Sequence, residues 1–232
     1  MAEARFHFDA GRGLRGLWLS LLLVLACAGS LRAQLIPSSA VQEGDMILTR
    51  SASARSMFTA AIDGTGEFAH AGIIAFIKGE PYVVTALPMN IHGDLHDHGR
   101  IACIPLEDYL RRDRYTRIAI FRIQAAHPSQ RQKATQLSLL WFLQKIPFDT
   151  SFDLTNDDRL YCTEMIWKAY ERAGFQIIRL ESLRNRDRIT QPIIYPSDLL
   201  KSPAVRFIGE LAPLPYRAGA PPASTPEIQS AL

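Results

Sequence analysis

Two side chains in this sequence have the chemistry of a nucleophile and a base. Cys162 lies in Tyr161-Cys162-Thr163-Glu164-Met165-Ile166-Trp167, and His70 lies in Phe68-Ala69-His70-Ala71-Gly72-Ile73-Ile74. A cysteine attacks as its thiolate, and the first turn of a helix favours that anion because unpaired backbone N–H groups and the helix dipole face it. The segment from about Leu160 to Ala173 reads as a helix, with Asp157 or Asp158 as N-cap and Gly174 just past its end, so Cys162 falls in the first turn. A small buried apolar residue is the ordinary alternative for a lone cysteine. His70 stands where an apolar run begins, and Gly72, two residues on, shares its face and leaves room for another group to approach. An imidazole at that strand mouth can reach a helix N-terminus packed across it and take the thiol proton. A hydrogen-bonded structural histidine is the plain alternative.

Other polar groups have weaker claims. His92, Asp94, His96, Asp97 and His98 crowd into one short segment, a density at which imidazoles and carboxylates can bind zinc. Their spacing matches no metal-ligand signature, a solvated loop explains them as well, and no cofactor is expected. Glu164 and Lys168 have the i,i+4 spacing of an ion pair on a helix surface. Asp149 and Asp153 fit turn and capping roles. Cys103 sits inside the alternating apolar run Ile101 to Leu106, and in an oxidising compartment it could pair with Cys162.

The elements that must position these groups follow from apolar periodicity. Gly44 to Thr49 reads as a first strand and Met57 to Ile62 as a short helix. Ala71 to Ile77 and Tyr82 to Ala86 are buried strands joined by a hairpin turn at Lys78-Gly79-Glu80-Pro81. Ile101 to Leu106 and Arg117 to Ile123 are further strands, with a short helix at Glu107 to Arg111 between them. Pro128 opens an amphipathic helix that ends before Pro147. The sum is an α+β domain over residues 34–212, with an antiparallel sheet packed against helices.

Residues 1–33 read as a leader. Arginines precede the apolar run Gly16 to Ala28 and small residues follow it, the pattern of a secretory signal peptide. Val24-Leu25-Ala26-Cys27 also resembles a lipobox, which would lipidate Cys27, and an uncleaved anchor is a third reading. Residues 213–232, rich in proline and alanine, read as a disordered tail. Of the formal charge of +3, the leader contributes four arginines against two acids, which leaves the remainder near neutral and gives no field for nucleic acid.

Taken in order, Gly44-Asp45, the His70 segment, Tyr82-Val83-Val84-Thr85-Ala86, Pro147-Phe148-Asp149 and Tyr161-Cys162-Thr163-Glu164-Met165 resemble the NlpC/P60 superfamily of papain-like cysteine hydrolases in its circularly permuted form, in particular the YiiX/YebB-like branch. Ile189 to Leu200 is similar to the C-terminal end of that branch. The resemblance implies that a helix bearing Cys162 packs on an antiparallel sheet bearing His70, with histidine before cysteine because the order is permuted. Their separation in sequence is no obstacle, since such sites are defined by geometry. The family often places an acid or another polar group on the strand after the histidine. The aligned residue here is Thr85, which can orient the imidazole but carries no charge; Asp63 and Asp94 are substitute carboxylates.

The resemblance also implies a monomeric amidase or acyl hydrolase in which His70 deprotonates Cys162 and Tyr161 and Thr163 support the oxyanion. Its substrates would be peptidoglycan peptides or lipid-like esters and amides. The leader implies export to the periplasm or cell envelope, with lipid or membrane anchoring if it is retained. The rival readings are a non-catalytic ligand-binding protein on the same fold and a metal-dependent hydrolase using the His92 to His98 segment.

Overall fold

The computed structural model describes residues 34–88, 99–183 and 192–216. Six strands, β1 (Met46–Ser51), β2 (His70–Ile77), β3 (Glu80–Ala86), β4 (Ile101–Pro105), β5 (Tyr115–Ile123) and β6 (Val205–Glu210), form one sheet in the order β4-β3-β2-β1-β5-β6. Every neighbouring pair is antiparallel. The helices are α1 (Ala54–Asp63), α2 (Leu106–Arg111), α3 (Pro128–Leu143), α4 (Cys162–Arg172) and α5 (Pro196–Leu200). The α+β architecture is the one expected from the apolar patterning, and β6 and α5 are additional. Among the described residues no helix is long and apolar enough to cross a membrane.

The central strands are apolar on both sides because both faces are covered. Met46, Leu48, Ala71, Ile73 and Phe121 pack with Met165, Ile166, Ala169 and Tyr170 of α4 and Ala134 and Leu139 of α3. On the other face Ile47, Ile74, Val83 and Ile120 pack with Leu106, Tyr109 and Leu110 of α2 and with Val41 and Leu211. Alternation disappears where each side chain, inward or outward, meets a core.

Local chemistry sets the turns and ends. The β2–β3 hairpin turns through Lys78 and Gly79, both at positive φ (54° and 84°), the two-residue turn whose twist matches paired strands. Helix α4 ends at Gly174, at φ 82°, as expected for a left-handed C-terminal residue. Gly44 (φ 80°) has a second reason to be glycine: a Cβ there would lie 2.7 Å from Arg131 Cβ and 2.7 Å from the Tyr170 hydroxyl, so α3 and α4 close onto the start of β1. Beside it the fully buried Asp45 accepts two hydrogen bonds from Arg122, at 2.7 and 2.8 Å. A bidentate partner is what makes that buried charge tolerable. After Ala212 the chain still holds to the domain, with the Leu214 N–H donating to the Leu110 carbonyl of α2 at 3.2 Å.

Candidate active site

The site is built where two strand pairs part. Strands β1 and β2 stay paired as far as Thr49 and His70, and β3 stays with β4 as far as Ala86 and Ile101. The β2–β3 pairing, however, stops at Ile73 and Val84, although β2 begins three residues earlier at His70. The backbone of Ala71 therefore has no strand partner on the β3 side, and buried backbone groups need partners. Its carbonyl accepts a hydrogen bond from the Thr85 hydroxyl at 2.7 Å. Its N–H donates to the sulfur of Cys162.

Helix α4 delivers that sulfur. Cys162 is its first residue, because the N-cap is Tyr161, three to four residues later than the cap expected at Asp157 or Asp158. The Glu164 carboxylate accepts the Tyr161 N–H at 3.1 Å and closes the first turn. Asp157 instead reaches along the helix to Lys168 and Arg172. Glu164 and Lys168 do pair, at 2.8 Å, but inside the protein rather than on a helix surface, because α4 is covered on nearly every side from Thr163 to Tyr170. Burial raises the Glu164 carboxyl to about 7, against the stabilising effect of Lys168. Upstream, the buried Asp149 carboxylate accepts the N–H groups of Ser151 (2.8 Å) and Asp153 (2.6 Å), the turn role expected of it.

The imidazole of His70 is fixed from β3. Its Nε2 lies 2.8 Å from the Thr85 hydroxyl oxygen. Thr85 has a single hydroxyl hydrogen, which is directed at the Ala71 carbonyl, so toward His70 it can only accept. Nε2 therefore carries the ring hydrogen, and Nδ1 holds the free lone pair of a base. Burial is the main cause that lowers the His70 pKa to about 4, with the charge of Arg112 acting in the same sense. Burial also pushes the Cys162 thiol above its ordinary value, more than the N–H groups of Ala71, Thr163 and Cys162 itself pull it down. Burial thus opposes both the thiolate favoured by the helix start and a charged imidazole.

Several expectations are redrawn by this geometry. The space at Gly72 is filled by Val83, whose Cγ1 would lie 2.7 Å from a Cβ placed there, so the thiol meets the sheet one residue earlier at Ala71. The side chains of Tyr161 and Thr163 clamp one backbone unit, and the Thr163 hydroxyl also favours the Cys162 thiolate. The Tyr161 hydroxyl accepts the Ile194 N–H at 2.9 Å and the Thr163 hydroxyl donates to the Ile194 carbonyl at 2.6 Å. Asp63 is engaged by Ser197 (2.5 Å) and Thr65 (3.0 Å). Cys103 and Cys162 are both free, and burial pushes the Cys103 thiol to about 12. The segment from His92 to His98, with Asp94, lies outside the described residues. Among the described residues no group of three or more His, Cys, Asp or Glu side chains could hold a metal ion. The two backbone groups of Ala71 and the Ile194 clamp were not legible in side-chain types.

The chain is 26% identical over 147 residues to the uncharacterized protein YiiX of Escherichia coli strain K12, covering 63% of this chain and 66% of that protein. It is similar in fold to a crystal structure described as the metalloprotein yiiX of Escherichia coli O157:H7, with a TM-score of 0.57 and 22% identity over 73% of this chain and 97% of that one. Residues 40–209 match the sequence pattern of the permuted papain-like amidases, the YaeF/YiiX or C92 family. With its histidine strand ahead of its cysteine helix and its matched region spanning the sheet from β1 to β6, the chain belongs to that family of permuted papain-like amidases.

Proposed function

We propose that the chain hydrolyses amide or ester bonds with Cys162 as nucleophile, His70 as general base and Thr85 as the group that orients the base. The observation that carries this reading is the Cys162 sulfur at the start of α4, accepting the N–H of Ala71, next in sequence to an imidazole tied by Thr85. As substrate binds, Nδ1 of His70 takes the thiol proton while sulfur attacks the acyl carbon. Backbone N–H groups at the start of α4 face the developing oxyanion. Collapse breaks the acyl bond, and the leaving nitrogen or oxygen takes the proton from the imidazolium. Water, deprotonated by His70, then cleaves the thioester and regenerates the thiol.

The substrate class that suits the leader and the family is a cell-envelope peptide or a lipid-like acyl group, met after export to the periplasm or envelope by a monomer. An activity-based probe that traps acyl-enzymes tests the assignment. It should label the wild type, label His70→Gln far more slowly and leave Cys162→Ala unlabelled; equal labelling of Cys162→Ala would overturn it.

A second reading rests on the description of the Escherichia coli O157:H7 relative as a metalloprotein and on His92, His96 and His98 of this chain. In it these histidines would hold a metal, which would supply an activated water. Elemental analysis of purified protein favours it if metal is stoichiometric and is lost in His96→Ala, and disfavours it if the metal content is negligible.

A further inference from the structure

At the same end of the sheet a cavity of about 540 Å³ lies among Arg50, Ser51, Met57, Thr65, Glu67 and Arg117. Arg50 follows Thr49, whose Cα faces that of His70 across the β1–β2 pair at about 5 Å. Alternation along β1 puts Arg50 on the face of Met46 and Leu48, which is the face covered by the cysteine helix α4. Arg117 confirms the side, since its guanidinium lies 4.8 Å from the ring centre of Phe68, a residue of that same core.

The cavity is electrostatically incomplete. Arg50 and Arg117 are directly opposed across β1 and β5, a like-charge pairing that is unfavourable unless anions intervene. Arg117 has them: Glu210 at 2.7 Å and Glu67 at 3.9 Å. Arg50 donates to the Gly66 carbonyl, and among the described residues no carboxylate is paired with it. A half-buried guanidinium keeping free donors beside a cavity suits a carboxylate or phosphate, which it can hold with two parallel hydrogen bonds.

We infer that the substrate carries an anionic group, carboxylate or phosphate, which Arg50 holds in this cavity while the acyl carbon meets Cys162. This inference rests on the cysteine hydrolase reading for its catalytic part. A charge-assisted, bidentate contact of this kind changes kcat/KM by about tenfold to a hundredfold.

Methylumbelliferyl esters of matched length test it: a neutral pentanoyl ester, a carboxylate-ended glutaryl ester and a phosphate-ended analogue. Wild type should prefer one or both anionic esters by at least tenfold, and whichever is preferred identifies the group. Arg50→Gln should lose the preference while hydrolysing the neutral ester at the wild-type rate, and Arg50→Lys should keep part of it. Equal hydrolysis of all three esters by wild type, or a preference unchanged in Arg50→Gln, would overturn the inference. Calorimetric binding of glutarate and inorganic phosphate separates this result from the catalytic assignment. At least one anion should bind wild type and Cys162→Ala alike and lose that binding in Arg50→Gln; binding of neither anion refutes the site even if Cys162 proves catalytic. Hydrolysis that persists in Cys162→Ala refutes the nucleophile and leaves the anion measurement to decide the cavity.

Discussion

Thr85→Val is the perturbation that tests most directly how the site works. Valine has nearly the shape of threonine, so the fully buried position keeps its packing and loses only the hydroxyl. That hydroxyl donates to the Ala71 carbonyl at 2.7 Å and accepts from His70 Nε2 at 2.8 Å, so the variant leaves two groups without their partner. An unsatisfied buried group costs about 1–3 kcal/mol, and His70, being half-buried, recovers part of its share from water, so the loss of stability should be about 2–4 kcal/mol. For a domain of this size that lowers Tm by roughly 4–16 °C in calorimetry. The catalytic effect is separate. Without an acceptor at Nε2 the ring is free to carry its hydrogen on Nδ1, where it cannot act as base toward the thiol. A triad that loses its tautomer control completely loses about 10⁴ in rate, whereas a neutral orienter that only biases the ring should account for about tenfold to a hundredfold in acylation rate. Thr85→Ser keeps the hydroxyl and should restore most of the rate while remaining about 1 kcal/mol less stable for its missing methyl. The nitrogen chemical shifts of His70 report the tautomer independently. If Thr85→Val folds, keeps hydrogen on Nε2 and acylates at the wild-type rate, the orienting role of Thr85 is wrong.

Three further outcomes follow from the same geometry. His70 resists protonation down to about 4 against an ordinary value of 6.5, so its contribution to stability is complete above pH 6.5 and is lost as pH falls through about 4. Glu164, raised to about 7, acts oppositely: its contribution is complete below about 4.5 and lost as pH rises through 7. The two should largely offset in wild type between pH 4.5 and 6.5, and urea midpoints of His70→Gln should fall from pH 5 to pH 7 where those of wild type stay flatter. Gly72→Ala should destabilise by about 1–3 kcal/mol in urea titration, because the new Cβ meets Val83 Cγ1 at 2.7 Å and the Val84 carbonyl at 3.2 Å; adding Val83→Ala should recover part of the loss. Tyr161→Phe removes the acceptor of the Ile194 N–H, and it should cost about 1–2 kcal/mol and speed hydrogen exchange at that amide with little effect at Ala71.

The fold was legible wherever an element buries a regular face or ends on a turn residue. The strands through Met46, Ile73, Val84, Ile104 and Ile120 announce themselves as apolar runs, and Lys78-Gly79 and Gly174 mark a turn and a helix end that the backbone then adopts. β6 escaped because Val205 to Glu210 lies at the sheet edge with Arg206 and Phe207 exposed, so no buried face imposes alternation on it. Buried charge was also hidden from pattern reading. Glu164 and Lys168 have the spacing of a surface pair, and only the packing of α4 between the sheet, α3 and the Ile194 segment turns them inward.

The candidate site divides along a different line. Cys162, His70 and Thr85 were legible as residue types in an order, and the structure brings them around one residue, Ala71, which no side-chain chemistry would single out. Its role comes from what its backbone lacks: β3 leaves β2 after Val84, and the freed N–H and C=O recruit the sulfur and the hydroxyl. The same accounting explains why an uncharged threonine can stand where an acid is common. Burial holds the imidazole below its ordinary pKa, so the proposed orienter has little positive charge to balance; it spends its one hydrogen on Ala71 and so places the ring hydrogen on Nε2. A carboxylate introduced by Thr85→Glu would stabilise the imidazolium and, with it, the thiolate form of Cys162. It would also surrender the bond to Ala71, so the thiol pKa should fall while the ladder at Ala71 loosens. Titration of Cys162 alkylation against pH, with hydrogen exchange at Ala71, reads those two effects apart, and an unchanged thiol pKa would show that residue 85 does not communicate with the sulfur through His70.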